Sequence, residues 1–281
     1  MRQAQQYGGA SSKAALTALT VFAVAMFVFI MAPLIVIIVG SFTTNLYLSF
    51  PPPELGLRWY RELSEQSRWA TAAWNTIKIG VPVALISVVL GTLVALAMAR
   101  CKTATIVFIG GIFIAPMMLP HIIIAIGLYP TIIDLGLSNT FAAVIFGHVV
   151  VATPFVVLTV TASLKGYSET LEMAAMTLGA NPWKVFQRVT FPMIKTGIGV
   201  GGLFAFATSF DELMLSLFLT GAKTETLPRL IWEHLFYTLT PVVAAAATFI
   251  LAFSLLLLWI AVSVRNESAP IAKVAAGVKE T

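Results

Sequence analysis

The chain has 281 residues, of which 59% are hydrophobic and only 10% charged, and its mean hydropathy is +0.93. Soluble domains run at about half apolar and a quarter charged, so a soluble globular protein is excluded and an integral membrane protein is expected. The formal charge of +5 comes from 17 basic and 12 acidic residues, and where the basic residues fall decides between nucleic-acid binding and membrane topology.

A bilayer core about 30 Å thick takes about 20 apolar helical residues, and six stretches of the chain qualify, so the fold class expected is all-α and polytopic. The first, residues 14–40, is much longer than the apolar core of a secretory signal and has no small-residue cleavage site promptly behind it, so it reads as a retained anchor. A loop with Pro51–Pro53, Trp59 and Arg61 follows, either packed on itself or offered as a seat to a soluble partner. The second span is 79–98. Cys101 just beyond it is the single cysteine, which excludes an intrachain disulfide framework and matches no metal-ligand spacing. The third span, 106–127, carries Pro116, Pro120 and His121, and the fourth, 141–164, carries Pro154; kinks or a partly re-entrant segment are expected there. His121 and His148 each read as a satisfied buried group in place of a metal or proton site.

Residues 168–192 then break the apolar pattern. Ser168 is a natural N-cap with Glu169 in the first turn, and a helix through Leu178 aligns Leu171, Ala174, Ala175 and Leu178 on one face. Gly179 ends it by supplying the left-handed position past the helix end. Asn181 caps a second helix with Pro182 at its first position, Val185, Phe186 and Val189 form its apolar side, and Phe191 and Pro192 are expected to stop it. Such an amphipathic hairpin either lies on the lipid headgroups or docks its apolar stripe in the groove of a partner.

The fifth span, 198–218, contains Asp211 and Glu212 about 20 Å from its near end at 1.5 Å per residue. An ionisable residue at that depth faces a polar cavity or a partner. Two readings stand: a carboxylate pair suited to a polycation, or an interhelical hydrogen bond or ion pair. Neighbours on a helix point about 100° apart, so one of the two is expected to face a pathway. Tyr129, Trp232 and Tyr237 sit near the opposite membrane boundary, where amphipathic aromatics anchor helices; Trp232 and Tyr237 are also candidates for an aromatic wall along a cation's path. The sixth span is 242–264. With six spans both termini share one side, and that side with its loops holds Arg2, Lys13, Arg100, Lys102, Lys165, Lys184, Arg188, Lys195, Arg265, Lys273 and Lys279. The other side holds Arg58, Arg61, Arg68, Lys78, Lys223 and Arg229. The basic bias places the termini and the hairpin in the cytoplasm, and the positive charge sets topology.

The hairpin resembles the EAA loop of the membrane subunits of ATP-binding cassette (ABC) importers, whose pattern is E-A-A, three residues, G, nine residues, I-x-L-P. Ala174, Ala175 and Gly179 match it, followed by Val189 for Ile, Phe191 for Leu, and Pro192. The acidic position of the pattern falls on Met173, with Glu172 one residue earlier. The resemblance covers nearly the whole chain. The stretches "LSFPPPELGLRWY", "WNTIKIG" and "SFDELMLSLFLTGAKTETLPRLIWE" look like spermidine/putrescine-type permeases, the second membrane subunit of a heterodimer; relatives of that group carry opines, aminoethylphosphonate or ferric iron.

The resemblance implies a type I ABC importer permease fold, one transmembrane domain over 1–281 with a peripheral first helix, a core over 71–264 and a coupling hairpin over 168–192. It implies that Glu172, Ala174, Ala175, Gly179, Asn181, Pro182, Val189, Phe191 and Pro192 serve coupling to an ATPase; Asp211, Glu212, Trp232 and Tyr237, singled out above by depth, charge and aromatic character, are the candidates for the substrate pathway. The partners implied are a homologous permease subunit, two ATPase subunits carrying ATP and Mg, and a periplasmic or lipid-tethered binding protein, in a bacterial inner membrane. The chain itself is expected to bind no cofactor or metal and to be no enzyme. It contains no phosphate loop of the form G-x-x-x-x-G-K-[ST], no H-E-x-x-H pair and no G-x-S-x-G elbow. An ion-coupled secondary transporter is the rival reading; no inverted repeat supports it.

Overall fold

The computed structural model describes residues 10–101, 103–165, 169–237 and 240–267; Ser168, the expected cap of the hairpin, lies outside them. The described residues are helical, apart from loops and one isolated bridge between Thr43 and Leu55. In chain order the helices are α1 (Ala10–Gly40), α2 (Arg58–Glu65), α3 (Ser67–Arg100), α4 (Ala104–Ile114) running into a tight 3-10 turn (Ala115–Met118), α5 (His121–Asp134), α6 (Phe141–Lys165), α7 (Glu169–Thr177), α8 (Pro182–Val185), a π turn (Phe186–Thr190), α9 (Phe191–Phe210), α10 (Met214–Leu219), α11 (Leu227–Tyr237) and α12 (Val242–Glu267).

Five helical runs are long and apolar enough to cross a bilayer: Ala15–Gly40, Arg68–Arg100, Phe141–Lys165, Pro182–Phe210 and Val242–Ser263. A further apolar pair, Ala104–Met118 and His121–Asp134, is bent by 114° and forms either one broken span or a re-entrant loop. The bend falls at the expected prolines: Pro116 sits in the 3-10 turn, and Pro120, which cannot donate a ladder hydrogen bond, precedes α5.

Three boundaries differ from the hydropathy reading. α3 begins at Ser67, well before the apolar run opens at Ile79, because its polar first turns find partners within the protein. Arg68 pairs with Glu225 and Glu233, and Asn75 donates to the carbonyls of Lys223 and Glu225 at 3.1 and 3.0 Å. The Thr76 hydroxyl receives the N–H of Leu227 at 2.8 Å. Pro192 does not stop the hairpin's second arm: α8, the π turn and α9 form one helical run into the fifth span. The N–H of Phe191 reaches the carbonyl of Phe186, five residues back, and this wider turn takes in a proline that has no N–H of its own to give. The same run ends at Phe210, earlier than expected, and after a break at 211–213 the short α10 follows.

Contacts gather the chain into two compact units. In the smaller, residues 1–65 and 234–249, α1 is exposed along most of its length. The Ser41 hydroxyl lies 2.7 Å from the Tyr60 hydroxyl, and Trp59, 2% exposed, donates its indole N–H to the Asn45 carbonyl at 3.2 Å. Trp59 therefore packs its own loop and is no open seat for a partner.

The larger unit, residues 66–233 and 250–281, is centred on α6. Val144, Val151, Val156 and Val160 of α6 are buried against Ile79 and Val83 of α3, Ile194 and Ala205 of α9, and Leu215 of α10. Lipid is as apolar as leucine, so helices hold together in a bilayer by close packing, which small residues permit. Gly197 and Gly201, four apart on α9, provide that approach: a Cβ on Gly201 would stand 2.4 Å from Thr159 Oγ1 and 3.0 Å from the Cα of Val156. Several hydroxyls along these helices bond back to carbonyls four residues earlier, Thr153 to Val149 at 2.7 Å and Ser163 to Thr159 at 3.1 Å, whereas those of Thr92 on α3 and Thr161 on α6 are buried without a partner among the described residues.

Candidate functional site

Two places in the larger unit carry the side chains singled out by the sequence. The first is the hairpin. Gly179 adopts φ +85°, its N–H bonds to the Met176 carbonyl at 2.9 Å, and the N–H of Ala180 bonds to the Ala175 carbonyl at 3.1 Å. These two bonds close α7 in the Schellman manner, with glycine in the left-handed position. Asn181 Oδ1 accepts the N–H of Lys184 at 2.8 Å and starts α8, with Pro182 at the first turn. The turn between the two arms is thus set by Gly179, Asn181 and Pro182.

Around that turn the surface is apolar and open: Leu171, Met173, Met176, Leu178 and Trp183 are exposed, Leu178 by 88%. Ala174 is exposed and Ala175 half-buried, while Phe191 and Pro192 lie exposed where α9 begins. Val185 and Thr190 are buried and Val189 half-buried, so the second arm packs its inner side on the protein. Glu172 faces inward, with its Oε1 2.7 Å from Arg100 Nη2 and 2.6 Å from the Thr190 hydroxyl. Sequence reading missed Arg100 and Thr190; a lone arginine closing a span at the level of the hairpin's acid was the available signal.

The second place is the break between α9 and α10. A pocket of about 480 Å³ opens there, lined by His121, Ala207, Thr208, Asp211, Glu212, Leu213 and Met214. The two adjacent carboxylates have different environments, because the helix ends at Phe210 and the break at 211–213 turns them apart. Glu212 is 5% exposed; its Oε1 accepts the N–H of Leu215 in the first turn of α10 at 3.0 Å, and its Oε2 lies 2.6 Å from His121 Nδ1. Asp211 is exposed, and its carboxylate has no hydrogen bond or ion pair among the described residues. Glu212 therefore holds the broken helix together, and Asp211 is the acid that the pocket leaves available.

The histidines also separate. His148 is fully buried, with Nδ1 2.9 Å from the Ser209 hydroxyl and Nε2 3.3 Å from that of Ser216. It is the satisfied group expected, and it staples the end of α9 to α10 across the break. His121 is not buried: its side chain is 37% exposed and borders the pocket. The bend before α5 swings it to the open end of the broken span, which linear hydropathy does not register. Trp232 and Tyr237 lie on α11, the first at the edge of exposure and the second 83% exposed, and neither is among the pocket's lining residues. Among the described residues no group of three or more His, Cys, Asp or Glu is placed to hold a metal ion.

A family model described as the binding-protein-dependent transport system inner membrane component matches residues 87–266. The chain belongs to this family. It is the permease component of an ABC importer, a transport subunit and not an enzyme, and ATP hydrolysis falls to a separate subunit. The spermidine/putrescine transport system permease protein PotC of Escherichia coli (strain K12) is 29% identical over 236 residues, covering 84% of this chain and 89% of that protein. The putrescine transport system permease protein PotI of the same organism is also 29% identical over 236 residues, covering 80% of this chain and 82% of that one. Among solved structures, the bacterial alginate ABC transporter in complex with an alginate pentasaccharide-bound periplasmic protein matches with a TM-score of 0.70 at 16% identity, over 94% of this chain and 96% of that chain. At that identity the match speaks for the fold alone.

Proposed function

We propose that the chain forms, with a homologous second permease subunit, the translocation pathway for a small polycation of the putrescine or spermidine kind. Two ATPase subunits drive it and an extracytoplasmic binding protein delivers the cargo. The observation that carries the substrate class is the exposed Asp211 carboxylate in a pocket where the fifth span breaks. An ammonium leaving water needs an opposite charge to offset its desolvation, and a charge-assisted hydrogen bond to a carboxylate supplies it. The buried Glu212 adds negative charge behind it. The 29% identity to two polyamine permeases over most of the chain supports the same reading.

The hairpin is the coupling element in this proposal. Its open apolar tip fits a groove on the cytoplasmic ATPase, its second arm continues without interruption into α9, and α9 ends at the pocket. A push at the tip therefore reaches Asp211 along one helical run of about 43 Å, taking 29 residues from Pro182 to Phe210 at 1.5 Å each. The positive-inside bias supports a cytoplasmic placement of the tip and of both termini.

The test is transport by the whole complex in sealed vesicles, with the binding protein outside and ATP inside. Labelled putrescine and spermidine are expected to accumulate only with ATP, and an uncharged sugar is not. Accumulation on a sodium or proton gradient without ATP overturns the importer reading; ATP-driven uptake of an uncharged or anionic solute in place of the diamines overturns the polycation reading alone.

A further inference from the structure

The inward turn of Glu172 leaves a function unassigned. Its Oε1 receives two donors, Arg100 Nη2 at 2.7 Å and the Thr190 hydroxyl at 2.6 Å, and Arg100 Nη2 also approaches Thr190 Oγ1 at 3.4 Å. Three elements thus meet at one oxygen: the last residue of α3, the first arm of the hairpin, and the π turn through which the second arm enters α9. Thr190 is fully buried and the Glu172 side chain 15% exposed, whereas Arg100 is 47% exposed. Short contacts to an ionised acceptor are the stronger kind of hydrogen bond, and here the acceptor is largely shielded beside Thr190, the one buried residue of the turn, while Arg100 reaches it from the surface.

The mechanics follow from connectivity. α9 continues the hairpin's second arm through the π turn, so a displacement of the tip reaches it as far as that turn holds its shape. α3 packs on α9 within the core but is not continuous with the arm, and at this level its last residue, Arg100, meets Glu172 from 72 residues away along the chain. The π turn is also a weak point, since it replaces the regular four-residue ladder with a wider loop, and such turns are where helices bend. A push at the tip would be absorbed there unless the turn were braced. Glu172 bonds to Thr190 at the end of that turn and, through Arg100, to α3.

We infer that Arg100, Glu172 and Thr190 form a clasp that stiffens the π turn and passes the stroke of the hairpin to α3 and α9 together, so that the two helices move as one body. The inference rests on the reading of the hairpin as the ATPase-docking element. Glu172 and Arg100 are then positioning residues that act inside the chain, while the apolar tip makes the docking contact. Met173, at the acidic position of the family pattern, belongs to that tip and is 55% exposed.

The experiment uses the full complex in vesicles and reads cargo taken up per ATP hydrolysed, together with subunit assembly. Glu172→Gln, Arg100→Glu and Thr190→Val are expected to leave the complex assembled and to lower that ratio, by about tenfold for the two charge variants, the size of one lost charge-assisted hydrogen bond. The paired reversal, Arg100→Glu with Glu172→Arg, is expected to recover at least half of the lost ratio. Single variants that transport with normal stoichiometry overturn the clasp, as does a reversal no better than its parents. Loss of assembly in proportion to loss of uptake in all of them also overturns it, by assigning the three residues to folding alone. A cross-link from Trp183→Cys to the ATPase subunit separates the two hypotheses. If it forms while the clasp variants behave normally, only the clasp fails; if it never forms, the docking reading fails.

Discussion

Gly179 offers a substitution series whose two costs the structure separates. Its φ of +85° puts it in the left-handed region, where a residue with a Cβ is disfavoured by roughly 1–2 kcal/mol. A Cβ built on it meets nothing within 4 Å. Inside the chain, then, the Cβ that Gly179→Ala and Gly179→Trp both add brings a backbone cost and no clash of its own, and Gly179→Asn carries less backbone cost because asparagine tolerates this conformation. A penalty of one to two kcal/mol corresponds to about a 5- to 30-fold loss of the correctly turned hairpin. Any further loss from alanine to tryptophan must come from something outside the chain that occupies the open space. The assay is uptake by the whole complex, with insertion and co-purification of the ATPase subunit followed in parallel. Asn is expected near wild type, Ala reduced several-fold, and Trp reduced at least tenfold beyond Ala while still inserted in the membrane. Equal uptake by the Ala and Trp variants would refute the reasoning, because a tip seated in a groove has no room for an indole beside the turn.

The carboxylates should answer differently to neutralisation. Asp211→Asn is expected to lower polyamine uptake by about tenfold, the worth of one charge-assisted contact, with the complex still assembled; equal loss of assembly would return Asp211 to a structural role. Glu212→Gln disturbs the buried partner of His121 and of the Leu215 N–H, so a fall in yield and thermal stability of the purified complex is expected ahead of any specific transport defect. In the core, Gly201→Leu must push against the backbone of Val156 and should cost about 1–3 kcal/mol by overpacking. At roughly 2–4 °C per kcal/mol for a chain of this size, that is a visible drop in melting temperature. Gly111→Leu, with nothing within 4 Å of its Cβ, should leave it unchanged, and matching shifts for the two would contradict the packing described for α6 and α9.

Composition and apolar run length were sufficient for the membrane class, for five apolar spans and for the place of the bent pair that makes the sixth segment, because the cost of leaving backbone groups unpaired in lipid forces each crossing to be helical. The hairpin turn was equally legible: glycine past the end of one helix, asparagine and proline at the start of the next, and each of these residues acts through its own backbone. The family pattern from Ala174 to Pro192 was readable for the same local reason. What failed were inferences that needed a partner distant in sequence. Hydropathy began α3 too late because the residues that shelter Arg68 and Asn75 lie about 150 positions further on. Pro192 was taken as a stop because a π turn leaves no mark in the local pattern.

The sequence by itself determined what kind of molecule this is, since apolar length, charge placement and turn chemistry are properties of single stretches. Only the tertiary structure decided which acid does what. Asp211 and Glu212 are neighbours in the chain, and Glu172 is one residue from the expected position. Yet a donor on another helix turns two of these carboxylates inward, His121 for Glu212 and Arg100 with Thr190 for Glu172, whereas Asp211 meets none among the described residues. A charged group in a low-dielectric surrounding goes where its countercharge is, and that place exists only once the helices have packed.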